Sequence, residues 1–421
     1  MNELRFRWVF CQLETLRQCL PQNVPLLLSQ LPATLDETYA RLLKEIGKTN
    51  ECYALRLLQC LTVAKRPLLV EELAEILALD FGSKGLPELK ENWRWKDQQD
   101  VVLSMCSSLI AIVPDNYDRH VVQFSHFSVK EFLTSDRLAT SSLDISHLHI
   151  LPEPAHTVVA KACLGILLQS EDADADIEEP SPLFGYAVWY WVDHARFEKV
   201  WKRVEDGIRR LFDPAKLHLK SWLRHSNIQE SEFFEGYNLD KHCGSSLYYA
   251  SLCGFSDLAA QLISENPQHV TGPFGRNPTP LVAALDRGNL DIAELLYQAG
   301  ADLGIKNDLN MTLLHAASTR KSMDIVRWLF DHTVRDNSQQ DSDKTSLHLA
   351  QANRNLWQGI TVNEADDFQR TPLHLASEEG NFEVIEELLR RGADVTAKDW
   401  NHRTPLHCVS DISASTKLCP S

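Results

Sequence analysis

Apolar residues in the first third of the chain recur at helical spacing. Between 6 and 20 they fall at steps of three and four, and Pro21 and Pro25 end that run. The same spacing predicts further helices over 35–46, 53–64, 66–77 (after a short extended start), 103–109 and 127–133. The pattern therefore predicts a mostly helical N-terminal region.

Between 109 and 124 the pattern changes to that of strands. Residues 109–113 and 120–124 are short apolar runs, and Pro114-Asp115-Asn116 between them is a turn signal. Helices followed by a small hairpin and another helix fit a winged-helix unit, which we place over 61–150. Many winged helices bind DNA. The acidic balance of this chain and the lack of a basic recognition face favour a structural role instead.

The C-terminal part of the chain repeats itself. The motif Thr-Pro-Leu-His-x-Ala is complete at Thr371, and partial or near copies begin at 245, 279, 312, 345 and 404. The steps between successive copies are 34, 33, 33, 26 and 33 residues. A period of 33 residues with this motif is the signature of the ankyrin repeat, a β-turn followed by two antiparallel helices. We therefore predict an ankyrin-repeat α-solenoid over 241–421.

The motif residues have physical roles in such a repeat. Threonine caps the first helix, and proline begins it without wasting an amide. A glycine nine residues after the motif start ends that helix in a left-handed conformation, as predicted for Gly254, Gly288 and Gly380. The motif histidines are expected to bond the motif threonine or nearby backbone. They are His315, His348, His374 and His407.

Two copies depart from the pattern. The copy at Thr345 is seven residues short, and its second helix is interrupted at Asn355 to Gly359. The sequence also stops at Ser421, just after the first helix of the last copy. We interpret these departures as a truncated or imperfectly predicted product, or as a natural short protein with a weak last repeat. The array is expected to unfold less cooperatively around the short copy.

Charge and cysteine usage narrow the class of protein. A net charge of −16 opposes binding to nucleic acid and to anionic membranes. The sequence has no apolar run of transmembrane length and no secretory signal at its start. Scattered cysteines on apolar helical faces indicate reduced thiols in a cytoplasmic protein. These are Cys60, Cys106, Cys163 and Cys253.

The sequence offers no catalytic site, cofactor or metal centre. Gly47-Lys48-Thr49 matches only the end of a phosphate loop, since Leu42 stands where the first glycine is needed. The pair His147 and His149 lacks the further ligands of a metal site. The acidic run 171–180 is interpreted as a solvated loop, with an acidic docking motif as the alternative.

Several segments resemble fungal NACHT–ankyrin proteins. In that family the segments like 6–13, 31–39, 66–73 and 124–133 fall just after the nucleotide-binding core, and the segment like 182–195 belongs to the helical link that precedes the repeats. The resemblance implies a signal-transducing ATPase architecture, of which this chain begins at the tail of the core.

On this resemblance the chain divides into a helical remnant over 1–60, the winged helix over 61–150, a helical spacer over 151–240 and the repeats over 241–421. His126 resembles a winged-helix histidine that contacts the bound nucleotide diphosphate in related ATPases. It is a nucleotide-sensing candidate only if a nucleotide-binding core is present.

The predicted function is a non-enzymatic scaffold or sensor module that binds a protein partner through its repeats. The alternatives are a fragment of a nucleotide-operated NTPase switch and, less favoured, a DNA-binding winged helix. Residues next to the motif threonine, and seven and eight positions after it, point out of an ankyrin stack. With the hairpin tips, they give the candidate contact residues Met311, Thr319, Arg320, Phe368, Arg370, Glu378, Glu379, Trp400 and Arg403. We hypothesise that Phe368, Arg370, Trp400 and Arg403 form one patch; alternatively, Trp400 only covers the last repeat.

Overall fold

The computed structural model divides into two compact units, Met1–Ser226 and Asn227–Ser421. It describes residues 34–82, 85–106, 108–141, 144–169, 181–213, 215–226, 245–271, 279–306, 309–319, 322–338 and 361–409, with side chains to 332 in the last helix before the largest gap. Four features singled out from the sequence lie outside these residues: the helix over 6–20, the acidic run 171–180, Arg320 and the copy at Thr345.

The first unit begins with helices that alternate with short strands. Its elements are α1 (Leu35–Lys44), α2 (Glu51–Val63), β1 (Leu68–Leu69), α3 (Val70–Leu77), β2 (Leu79–Asp80), β3 (Glu88–Leu89), α4 (Gln98–Cys106), β4 (Ile110–Pro114), β5 (His120–Phe124), α5 (Phe127–Leu133) and α6 (Asp136–Ala139). Each described helix predicted from the spacing is present, with ends shifted by a few residues at most for all but α4.

A three-stranded antiparallel sheet with the order β1-β5-β4 completes the winged helix. Val122 pairs with Leu68 on one side and with Ile112 on the other. Its side chain is buried, as are those of Leu68 and Ile110. The apolar runs at 109–113 and 120–124 therefore form the predicted hairpin because their inward residues close the core beneath α2 and α3. The predicted winged helix is confirmed.

A group of helices follows within the same unit. These are α7 (Pro152–Leu167), α8 (Phe184–Ala195), α9 (Val200–Arg203), α10 (Glu205–Leu211) and α11 (Leu217–His225). Trp191 and Trp222 are fully buried and pack edge to face, with ring centroids 5.5 Å apart. The indole N–H of Trp222 donates to the carbonyl oxygen of Val188 at 3.2 Å. Large aromatic residues thus fix α11 against α8.

A buried polar chain ties α8 to α7 and to the segment before β1. The Lys65 amide donates to the Tyr186 hydroxyl oxygen at 3.1 Å, and that hydroxyl lies 2.9 Å from His194 Nε2. His194 Nδ1 lies 2.9 Å from Nδ1 of His156. Burial lowers the pKa of His156 to about 4 and that of His194 to about 3, with the positive charge of Lys65 acting in the same direction. Both rings are therefore neutral in the folded protein at neutral pH.

Two glycines let the segment before β3 approach the helices closely. A Cβ atom added at Gly165 in α7 would lie 2.5 Å from the carbonyl oxygen of Pro87. One added at Gly207 in α10 would lie 2.7 Å from a methyl group of Leu86. At Gly185, at the start of α8, an added Cβ would meet nothing within 4 Å. Backbone contact at Gly165 therefore requires a residue without a side chain.

The second unit consists of paired helices. They are α12 (Ser246–Cys253), α13 (Ser256–Glu265), α14 (Gln268–Thr271), α15 (Pro280–Asp286), α16 (Leu290–Gln298), α17 (Leu313–Thr319), α18 (Met323–Ser338), α19 (Pro372–Glu378) and α20 (Phe382–Arg390), with a last helical turn over 405–409. Gly254, Gly288 and Gly380 have φ of 75°, 70° and 65°, which confirms the predicted left-handed ends. The mostly α fold class is confirmed.

The copy that begins at Thr312 stacks directly on the copy that begins at Thr371. His315 Nε2 lies 3.0 Å from the carbonyl oxygen of Arg370, and His374 Nε2 lies 3.0 Å from that of Arg403. The same bond thus joins the third copy to the fifth and the fifth to the sixth. The chain between the third and fifth copies includes the segment matching the motif at Thr345, which lies outside the described residues.

The outer helix of the third copy is longer than its counterparts. α16 and α20 end where Gly300 and Gly392 turn the chain at φ of 94° and 86°. The equivalent position in the third copy is Thr333, which does not favour a left-handed turn, and α18 continues to Ser338. The missing glycine explains why the chain does not turn back at once into the next hairpin.

Candidate partner-binding surface

Each hairpin of the fifth and sixth copies is held by an aspartate at its start. Asp366 Oδ1 accepts the backbone N–H groups of Phe368 at 2.9 Å and Arg370 at 2.8 Å. The guanidinium of Arg370 lies 2.9 Å from Asp366 Oδ2, and the aspartate side chain is fully buried. Asp399 and Arg403 repeat this arrangement in the next hairpin. The two hairpin tips are therefore rigid.

The pKa values of Asp399 and Arg403 are shifted in the directions that keep both side chains charged. Burial opposes ionisation of Asp399, but the backbone and side-chain hydrogen bonds from Arg403 outweigh it and lower the carboxyl pKa. The same side-chain bond raises the pKa of Arg403. The pair therefore stays ionised and closes the turn with a charge-assisted hydrogen bond.

The turn also fixes one residue of each hairpin in the left-handed region. Asn310, Gln369 and His402, each two positions before the motif threonine, have φ of 55°, 57° and 59°. The hairpins are then joined to one another, because the Asp367 amide donates to the carbonyl oxygen of Leu309 at 3.0 Å and the Trp400 amide to that of Phe368 at 3.0 Å. Three successive tips thus form one continuous edge.

Large apolar side chains stand on this edge. Leu309 is 39% exposed, Phe368 41% and Trp400 60%, and we call these three residues the tip ridge. The guanidinium carbon of Arg370 lies 5.0 Å from the Phe368 ring centroid, and Arg370 NH1 lies 3.9 Å from Glu378 Oε2. Exposed aromatic side chains on a rigid support are typical anchors of protein interfaces.

The sequence-predicted contact residues do not all occupy equivalent positions. Phe368 and Trp400 lie on neighbouring, hydrogen-bonded tips, as the patch hypothesis requires. Glu378 and Glu379 are exposed at the end of α19, whereas Met311 and Thr319 are half-buried. Arg370 and Arg403 are half-buried and hold the buried aspartates, so the structure gives them a role in the fold as well.

The same turn occurs in the wing of the first unit, where sequence reasoning did not look for it. Asp115 Oδ1 accepts the backbone N–H groups of Tyr117 at 2.8 Å and Arg119 at 2.9 Å. The Arg119 guanidinium closes onto Asp115 Oδ2, and Asp118 has a φ of 60°. Tyr117 at the tip is 79% exposed. The common signal is aspartate followed four residues later by arginine, at 115, 366 and 399.

The residues considered for nucleotide or metal binding link, cap or pair elements of the first unit. Gly47-Lys48-Thr49 joins helix α1 to helix α2 rather than a strand to a helix. His126 caps α5, since its Nδ1 accepts the Ser128 amide at 3.2 Å. His147 pairs with Glu51. Among the residues that the structure describes, no group of three or more possible ligands could hold a metal ion.

The described motif histidines bond as predicted. In the third copy the Thr312 amide donates to His315 Nδ1 at 3.1 Å, so the ring carries its proton on Nε2 and donates it to the carbonyl of Arg370. Burial lowers the pKa of His315, which favours this neutral form. His374 makes the same bonds in the fifth copy. These histidines serve the stack and are not available as a binding site.

Comparison with known protein families agrees with this architecture. Residues 42–145 match the family model of the GPI inositol-deacylase winged helix domain. Residues 281–357 match a model of three ankyrin repeats, and residues 368–400 match a model of one ankyrin repeat. A winged-helix domain and ankyrin repeats are thus both supported by sequence and structure.

The chain is also similar to parts of several individual proteins. The chain is 28% identical over 300 residues to azaphilone pigments biosynthesis cluster protein L of Monascus ruber, covering 67% of this chain and 62% of that protein. It is 29% identical over 147 residues to ankyrin repeat domain-containing protein SAT10 of Stachybotrys chartarum, covering 33% of this chain and 8% of that protein. It is 28% identical over 196 residues to inversin of Canis lupus familiaris, covering 44% and 18%. The chain therefore spans less than two thirds of the length of these three relatives.

Proposed function

We propose that this chain is a non-catalytic protein-interaction module that holds a protein partner on the tip ridge. Ankyrin repeats support a role in protein interaction, and the observation that carries the site is the ridge itself. Phe368 and Trp400 are large, exposed and adjacent, on turns that are locked by buried aspartates. Because the turns are already ordered, little conformational entropy is lost when a partner binds there.

The contacts of these four residues also distinguish side chains that can bind a partner from side chains that stabilise the turns. The hydrogen bonds described here for Phe368 and Trp400 use their backbone atoms, so their side chains can change without breaking a turn. Arg370 and Arg403 cannot, since each neutralises a buried carboxylate. We therefore assign the main anchoring role to the two aromatic side chains, with Arg370 supporting the Phe368 ring.

The experiment compares partner capture by the full chain and by a Phe368→Ala/Trp400→Ala variant. Proteins of the source organism retained on immobilised chain would be quantified by mass spectrometry. Loss of two anchor residues should weaken a specific complex by about 1,000-fold, since each contributes roughly 2 kcal/mol at an interface. Tyr117→Ala is the matched control, because it removes an exposed aromatic from the same type of turn in the other unit.

A partner retained by the wild type and by Tyr117→Ala, but lost from the double variant, would support the proposal. Equal retention by all three proteins would contradict it. Circular dichroism and the urea midpoint of the double variant should stay close to those of the wild type. That check separates loss of contact from loss of fold.

A second proposal is that the chain is part of a nucleotide-operated signalling protein that works in the cytoplasm. It is supported by the match of residues 42–145 to a winged-helix family and by the resemblance to NACHT–ankyrin proteins. On this proposal the described chain alone does not bind ATP or ADP, since Gly47-Lys48-Thr49 links two helices. Calorimetric binding at micromolar affinity that disappears in Lys48→Ala would contradict that expectation.

A further inference from the structure

Four apolar side chains outside the tip ridge are exposed at the C-terminal end of the described repeats. Phe382 and Leu389 lie seven positions apart on α20 and therefore on one face of that helix. Val395 follows in the next hairpin, and Leu406 belongs to the helical turn over 405–409. Their exposed fractions are 73%, 43%, 55% and 77%, in that order. We call these four residues the end face.

The same positions are covered in the copies before them. The second and fifth copies are 92 residues apart, as are the third and the sixth. The counterparts of the end face are therefore Leu290, Tyr297, Leu303 and Leu314. Leu303 and Leu314 are buried, and the other two are half-buried. The end face thus consists of residues that the repeat fold covers where an outer helix follows.

Helix α18 shows what kind of element covers such a face. The rings of Trp328 and His332, one turn apart on α18, have centroids 6.2 and 4.8 Å from that of Tyr297 on α16. The Trp328 indole N–H donates to Glu294 Oε2 at 3.2 Å, and His332 Nε2 lies 2.7 Å from the same oxygen. The covering element is therefore a helix with two rings and two ring nitrogens directed at one carboxylate.

The end face has the same carboxylate. Glu386 takes the position of Glu294 and is exposed on α20, between the two apolar residues of that helix. Glu383 is exposed as well, but it takes the position of Asp291, which bonds to Ser256 of the preceding copy. Glu386 is thus the acceptor on the open side of α20, and Glu383 faces the other way.

The sequence after 409 does not reproduce α18. When the sixth copy is aligned on the third, Pro420 takes the position of Trp328 and Lys417 that of the buried Ile325. Proline in a helix interior removes a backbone hydrogen bond, and burial of a lysine charge is costly. The sequence 410–421 therefore does not carry the residues by which α18 covers α16.

A second copy of the chain is also a poor match for the end face. In an antiparallel pair of α20 helices, the position midway between Phe382 and Leu389 meets its own counterpart. Glu386 is next to that midpoint, so the pair would bring two carboxylates together, which is unfavourable. The surface requires a helix with a nitrogen donor at this place instead.

We infer that the end face binds an amphipathic helix of another protein, in the way that α18 covers α16. That helix carries a tryptophan and, four residues later, a histidine, directed at Leu389 and Glu386, and apolar residues over Leu406. The end face shares no residue with the tip ridge, so this inference goes beyond the proposed function.

The test uses a fluorescein-labelled peptide with the sequence of residues 322–338, which form α18, as the probe. Its binding to the full-length chain is measured by fluorescence anisotropy. One control peptide carries Trp328→Ala and His332→Ala, and a second has the composition of the probe in shuffled order. These peptides change the partner and leave the fold of the chain untouched.

Three variants of the chain complete the design. Phe382→Ser/Leu389→Ser removes two exposed apolar side chains, and Glu386→Gln weakens the acceptor. Glu383→Gln is the matched control, because it removes a carboxylate from the other side of the same helix. Since all four side chains are exposed, the urea midpoints of these variants should stay close to that of the wild type.

We expect the probe to bind at least about tenfold more tightly than either control peptide, since aromatic anchors dominate such contacts. Phe382→Ser/Leu389→Ser should weaken it by about tenfold or more, and Glu386→Gln by about threefold or more. Glu383→Gln and the double variant of the tip ridge should bind the probe as the wild type does.

Equal binding of the probe and the peptide without Trp328 and His332 would overturn the inference, as would an affinity that does not depend on Phe382 and Leu389. Probe binding that appears only after removal of residues 410–421 would also overturn it, because the chain would then cover its own end face. So would a dimer in sedimentation velocity that is lost in Phe382→Ser/Leu389→Ser. None of these results alters partner capture by the tip ridge, so the two proposals fail separately.

Discussion

Replacing Arg370 by alanine should destabilise the repeat unit, although its side chain was first identified as a candidate for partner contact. The guanidinium lies 2.9 Å from Asp366 Oδ2, and the aspartate side chain is fully buried while that of Arg370 is 24% exposed. Removing the arginine leaves a buried carboxylate without its cation. Breaking a buried ion pair in this way costs about 3–5 kcal/mol in general.

The cost should be lower here, for two structural reasons. Asp366 keeps two hydrogen bonds from backbone N–H groups, at 2.9 and 2.8 Å, which continue to stabilise its charge. Water can also reach the position that the half-buried arginine vacates. We therefore expect Arg370→Ala to lower the free energy of unfolding by about 2 kcal/mol.

Urea denaturation of the full chain, followed by circular dichroism, would measure this change. Phe368→Ala is the control, since it loses only an exposed ring and a cation–π contact and should cost less than about 1 kcal/mol. The variant Asp366→Ala/Arg370→Ala completes a double-mutant cycle. A midpoint for Arg370→Ala as close to the wild type as that of Phe368→Ala would show that the pair does not hold the turn.

Three further outcomes are expected. His156 and His194 have pKa values near 4 and 3 in the fold, below the unfolded value of about 6.5. The stability that these neutral rings contribute is therefore present above pH 6.5 and is lost as the pH falls. Urea midpoints of the wild type should drop between pH 7 and 4.5 by more than those of His194→Phe. Gly165→Ala should destabilise the first unit by about 1–3 kcal/mol, whereas Gly185→Ala should be neutral or slightly stabilising, as measured by thermal unfolding. Deleting residues 334–359 restores a 33-residue step between the third and fifth copies. The repeat unit of this variant should still fold and unfold cooperatively. A variant that is unfolded or aggregates would contradict the direct stacking of those copies.

Local sequence rules predicted most elements because local and tertiary preferences agree in them. Phe127–Leu133 forms the helix that its spacing predicted, since its buried face includes Val129 and Phe132. The repeat motif is equally informative, because a motif residue has the same role in the described copies that contain it. The threonine and histidine of the motif fix both the start of a helix and the contact with the next copy.

The candidate site was predictable only in part. Exposure of Phe368 and Trp400 followed from their place on the hairpin tips, which the period alone defines. The role of Arg370 in the turn was not predicted, because side chains at outward-pointing positions were expected to make no contacts that stabilise the fold. Its partner Asp366 is four residues earlier in the same turn. The two side chains meet only because of the conformation of that turn, which the repeat period did not predict. The recurrence of the same pair at Asp115 and Arg119 could have revealed it.

The stacking of the third copy on the fifth shows that a repeat motif alone is not sufficient to predict the order of copies in the stack. A motif reports the residues that cap and pack one helix, but it does not say which copy that helix stacks on. His315 bonds to the carbonyl oxygen of Arg370, so the third copy stacks on the fifth. The glycine that would turn the chain after α18 is Thr333, and the helix continues instead to Ser338. The stacking of the third copy on the fifth places the Leu309 carbonyl oxygen 3.0 Å from the Asp367 amide, so that the tip ridge continues from the third copy through the fifth to the sixth.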